Sequence, residues 1–127
     1  MDGKTLQDTA HEHTEFLAES GLEHPFGPDW EVFKVRGKVF MLMTDVPGKP
    51  VVILKSDPGE AEALRKTHAD ITPGYHMNKR HWITLAPGDS IDEKLVRELV
   101  TESYQLVVDN LPRSRRPAGS ATAGTRS

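Results

Sequence analysis

The chain has 127 residues, with 16 Lys and Arg against 19 Asp and Glu, a formal net charge of −3 and no cysteine. That length suits a single hydrophobic core, and the lack of cysteine excludes disulfides, thiolate metal sites and a thiol nucleophile. No apolar run approaches the roughly 20 residues that a membrane span needs, and Met1-Asp2-Gly3-Lys4 lacks a signal-peptide core, so a cytoplasmic protein is expected.

Leu6, Ala10, His13 and Leu17 recur at helical steps with Phe16 beside them, which predicts an amphipathic helix over about 5–20 with Glu12, Glu15 and Glu19 facing water. Gly21 reads as its stop, and Pro25, Gly27 and Pro28 mark an irregular connection. Residues 30–36 and 38–44 are rich in β-formers and joined at Gly37, the pattern of a hairpin. The second of these runs is apolar on both faces, which suits a central strand covered on both sides or one with a side open to a partner. A turn over 45–50 leads to a third strand at 51–55, completing a meander.

Ser56, Asp57 and Pro58 open a short helix ending near Ala69, with Ala61, Leu64 and His68 on one face. Residues 70–74 cannot continue it, and 75–80 lead into a strand at 81–85. Ser90 and Glu93 form a capping-box pattern, after which Ile91, Leu95, Leu99 and Leu106 carry a helix to Asn110. From Pro112 no large apolar residue occurs, so a domain over 1–111 is expected to be followed by a disordered basic tail over 112–127. The charge is split in the same way: 12 Lys and Arg against 19 acids before residue 112, then four Arg and no acid. An acidic body binds nucleic acid only through a local cationic patch.

Chemistry-bearing residues are scattered. His11 and His13 stand two apart on a helix and so face different ways, and the other four histidines lie on separate elements, so neither a metal nor another cofactor is expected. Tyr75-His76 and Ser103-Tyr104 have no evident orienting partner, and neither a phosphate loop nor a nucleophile elbow occurs, so no enzymatic activity is expected. Tyr104 is expected to pack the last helix on the sheet, and Trp30 and Trp82 to pack within the core or on a sheet face.

The order of elements, with the words Gly74-Tyr75-His76-Met77-Asn78-Lys79-Arg80-His81-Trp82-Ile83-Thr84-Leu85 and Ser103-Tyr104-Gln105-Leu106-Val107, resembles the MmcQ/YjbR family over nearly all of 5–111. The resemblance implies an α+β fold of the CyaY-like kind, an antiparallel sheet of about five strands with two main helices on one face. It also implies DNA binding through protruding hairpins described as a double wing; with an acidic body, contact with duplex DNA is expected to be weak and salt-sensitive. Mapped onto this chain, the wings carry Lys34, Arg36 and Lys38 at one turn and Lys79, Arg80 and His81 at the other, with Lys49 and Lys55 as helpers and Asn78 or His76 as hydrogen-bonding groups. Solvated charges protecting exposed edges are the plainer reading of the same cations. The frataxin-like comparison draws attention to Glu12, Glu15, Glu19 and Glu23, for which an ordinary solvated stripe is the expectation. The alternative function is a non-catalytic protein-interaction domain using an exposed sheet or the acidic helix, with the chain a monomer or weak dimer and no membrane partner.

Overall fold

The computed structural model describes residues 1–117. Asp2 starts the first helix by accepting the Thr5 N–H on its carboxylate, and α1 runs Gly3–His13 with Leu6 and Ala10 turned inward. The Thr14 hydroxyl donates back to the His11 carbonyl, and the chain tightens into a 3₁₀ turn over Thr14–Phe16. The helix is therefore shorter than its apolar spacing suggested. Where its C-terminal part and stop were expected, Ser20–Glu23 form an edge strand, β1. Then follow β2 (Trp30–Val35), β3 (Lys38–Thr44), β4 (Val51–Lys55), α2 (Pro58–Thr67), β5 (Ile71–Pro73), β6 (Trp82–Leu85) and α3 (Glu93–Asp109).

The six strands, rather than about five, form one sheet in the order β1-β2-β3-β4-β6-β5, every neighbouring pair antiparallel. A bulge interrupts β2–β3: Phe33 pairs with Met41 and Lys34 with Val39, leaving Phe40 as the extra residue. Because the bulge breaks strict alternation, Phe40 and Met41 both join the cluster beneath the helices, with Leu6, Phe33, Leu54, Ile83, Leu85 and the inward face of α3. Full burial of a side chain such as Phe33, Phe40 or Leu54 contributes about 1.5–3 kcal/mol.

The opposite face carries a second cluster, Val32, Leu42, Val51, Ile53, Trp82 and Ala86, and none of the described helices covers it. Trp30, Val39, Tyr75 and Met77 pack over it instead. Hence β3 is apolar on both sides because helices cover one face and the connection between β5 and β6 covers part of the other.

Two caps deserve comparison with the sequence. Asp57 caps α2 as expected, accepting the Gly59 and Glu60 N–H groups. The cap of α3 is Asp92, which accepts from Leu95 N, whereas Ser90 donates its N–H and hydroxyl to Asp70 Oδ2 and accepts Asp70 N, tying the chain before α3 to the start of β5. Beyond α3, Arg113–Arg115 make a 3₁₀ turn and Arg116 donates to the carbonyls of Leu111 and Asp109. The remainder of the expected tail, 118–127, lies outside the described residues.

Candidate nucleic-acid interface

The first wing is a two-residue turn in which Arg36 (φ 50°) and Gly37 (φ 78°) are both left-handed, the primed geometry that matches strand twist. Glycine takes this conformation freely; arginine does so under strain. The Arg36 guanidinium meets the Glu19 carboxylate with two contacts, at 2.9 and 3.2 Å, and Lys34 pairs with Glu23 at 3.2 Å. Both carboxylates flank or belong to β1, which lies beside β2. Two of the three cations assigned to this wing are thus neutralised, and Lys38 is the exposed one with no side-chain bond among the described residues.

The second wing is the connection 74–81. A Cβ at Gly74 would stand 2.5 Å from that of Trp82, so the two strand ends approach as only glycine permits, and Gly74 N donates to Trp82 O. Asn78 Oδ1 accepts from Arg80 N and His81 N, and Lys79 Nζ donates to the Gly74 carbonyl. Asn78 and Lys79 are therefore braces of the loop, while Arg80 and His81 remain exposed. Tyr75 stacks near Trp30, the ring centroids 6.2 Å apart at 11°, and exposed His76 lies 4.2 Å from Tyr75 on a left-handed backbone (φ 58°).

The register settles how the wings relate. Val35 pairs with Lys38 at the hairpin end, Met41 with Leu54, and Lys55 with Trp82. Ser56 N also bonds His81 O at 2.8 Å. Lys38, Lys55, Arg80 and His81 therefore share one end of the sheet, with only β4 between β3 and β6, a separation of about 10 Å. Lys49, in the β3–β4 connection, belongs to the other end.

The Ser-Tyr word serves architecture. Ser103 accepts Lys55 N at 2.8 Å and donates to the Phe40 carbonyl, bridging β3 and β4 just past their last ladder pair, Met41 with Leu54. Tyr104 packs edge-on against Phe40 at 5.5 Å and donates to Ala18 O; burial pushes its phenol pKa up. Tyr104 lies with the helix-side cluster and Tyr75 on the opposite face. His11 packs against Phe33, and His13 Nε2 lies 2.7 Å from Thr101 Oγ1, its pKa lowered by burial and by Arg97. Among the described residues no group of three or more His, Asp or Glu side chains is placed to hold a metal ion, and no helix is long and apolar enough to cross a membrane.

These features define an α+β domain with helices on one sheet face, an aromatic-covered opposite face and free cations at one sheet end. The family model YjbR matches residues 17–106, and the chain belongs to the YjbR family. It is 45% identical over 111 residues to YbdF of Escherichia coli O157:H7, covering 87% of this chain and 91% of that protein. It is 36% identical over 102 residues to YjbR of Escherichia coli K12, covering 79% and 86%. A crystal structure from Deinococcus radiodurans, DR2400 with a DUF419 domain, superposes with a TM-score of 0.79 at 29% identity, covering 93% of this chain and 87% of that one. A Pseudomonas syringae crystal structure gives 0.68 at 30% identity, covering 79% and 96%.

Proposed function

We propose that this protein is a non-catalytic, weak binder of duplex DNA that touches the phosphate backbone with one end of its sheet. The observation that carries the reading is the placement of Lys38, Lys55 and Arg80 at that end, without an ion pair among the described residues, with His81 beside them. Lys34 and Arg36 are excluded from the contact set because Glu23 and Glu19 hold them, and Lys79 because it turns to the Gly74 carbonyl and lines the cleft beside Tyr75 instead of the sheet end. Three phosphate contacts imply a log–log salt slope of about −2.7, and so about a 40-fold loss of affinity between 50 and 200 mM salt. Duplex titrations at several salt concentrations test this. Lys38→Ala with Arg80→Ala should weaken binding and flatten the slope by about 1.8. Absence of duplex binding at low salt sinks the reading.

One observation favours a second reading, a protein-interaction domain. Among the described residues the β1 edge is unpaired on its outer side, and Leu22, Phe16 and Phe26 are exposed around it, the last two at 81% and 68%. Capture of a partner that survives nuclease treatment and is lost on Phe26→Ser would support it over the first.

A further inference from the structure

We infer that the cleft beside Tyr75 binds a single unpaired nucleotide, its base stacked on the Tyr75 ring and its phosphate held by Lys49 and Lys79. The inference takes its ligand class from the nucleic-acid reading above but uses a different surface, the sheet face that none of the described helices covers. There a cleft of about 340 Å³ is lined by Val51, Ala86 and Tyr75, with Lys49 and Lys79 also on its lining. That volume falls within the range of small-ligand sites. Lys49 makes no side-chain bond among the described residues, and Lys79, having given one N–H to Gly74 O, keeps two donors. Asp70 also lines the cleft, but Ser90 engages its Oδ2 with two bonds, leaving two cations against one committed carboxylate.

Tyr75 is held for stacking by its neighbours. Trp30 lies nearly parallel to it, and His76 is brought within 4.2 Å by a left-handed backbone. Of the three non-glycine residues with positive φ, Glu19 and Arg36 bond each other, whereas His76 makes only ring contacts among the described residues. Apolar lining residues, a braced aromatic ring and two ammonium groups match a planar ring carrying an anion. Two sources present that chemistry: a free mononucleotide, or an unpaired position in a strand.

The test is a fluorescence titration, with Trp30 beside the site as reporter, using adenosine 5′-monophosphate, adenosine, a short oligothymidylate and a duplex at low salt. Tyr75→Ala should weaken the monophosphate or the oligonucleotide roughly 5- to 100-fold, with Tyr75→Phe close to wild type. Lys49→Ala should weaken the monophosphate but leave adenosine unchanged. Since Tyr75 also covers the apolar cluster, Lys49→Ala carries the test if Tyr75→Ala fails to fold. Binding of the monophosphate identifies a free nucleotide as sufficient; binding of the oligonucleotide alone identifies a strand. Affinities that ignore both substitutions, or no binding of either ligand, overturn the inference. A duplex arm that fails while the monophosphate arm responds removes the sheet-end reading and leaves the cleft standing.

Discussion

Ser103 does with one hydroxyl what a ladder hydrogen bond does elsewhere in the sheet. It accepts the Lys55 N–H and donates its hydroxyl to the Phe40 carbonyl, joining β3 and β4 where their ladder has ended. Ser103→Ala leaves both backbone groups without that partner inside the protein, at a cost of about 1–3 kcal/mol. Urea unfolding should show a lower midpoint with an unchanged m-value; a shift equivalent to under about 0.5 kcal/mol would refute the bridging role. His13 gives a second test at this scale. Burial holds its pKa below the ordinary value of 6.5, so as pH falls below that value the unfolded chain takes up the proton first. The fold consequently loses stability as pH drops from about 6.5 through the lowered folded-state pKa. His13→Gln keeps a hydrogen-bonding group toward Thr101 and cannot titrate. Thermal melts from pH 7.5 to pH 5 should fall less steeply for the variant than for the wild type.

At the scale of elements, β1 decides how the first wing behaves. With β5 it is one of two strands the sequence conceals: Ser-Gly-Leu-Glu has weak β propensity, makes one pairing, and is too exposed to show a burial alternation. The hairpin β2–β3, the strand β4 and the caps of α2 were legible because β-branched runs, a turn glycine and an Asp-Pro pair each carry a local signal. Without β1 in view, Lys34 and Arg36 read as free cations; with it, Glu23 and Glu19 stand beside them. The role of Ser90 was hidden for a similar reason, since its partner Asp70 is 20 residues away and only the tertiary fold makes them neighbours. Likewise the left-handed backbone of His76 leaves no mark in composition. Arg36→Asn follows from this view. Asparagine tolerates the left-handed turn better, gaining about 0.5–1 kcal/mol, while an exposed ion pair with Glu19 is lost at about 0–1 kcal/mol. Stability should therefore stay within about 0.5 kcal/mol of wild type, and duplex affinity within about twofold, in contrast to Arg80→Ala. A large drop in affinity would return Arg36 to the contact set.

For the molecule as a whole, the question is how a body with 12 basic and 19 acidic residues before position 112 attracts a polyanion at all. The segment 112–127 supplies four Arg and no acid, and removing it changes the formal net charge from −3 to −7. That charge acts at long range on association and, wherever an Arg meets a phosphate, on counterion release. Arg116 has a further role, since it donates to the Asp109 carbonyl that α3 leaves open at its end and to the Leu111 carbonyl just beyond it. Truncation after Leu111 thus combines two effects that Arg116→Ala separates. The single substitution should cost about 1 kcal/mol of stability and remove one charge; the truncation should weaken duplex binding more and flatten the salt slope by about 0.9 for each arginine in contact. Equal slopes for the truncated and full chains would mean that the sheet end alone meets the phosphates, with the basic segment contributing only through the capping of α3.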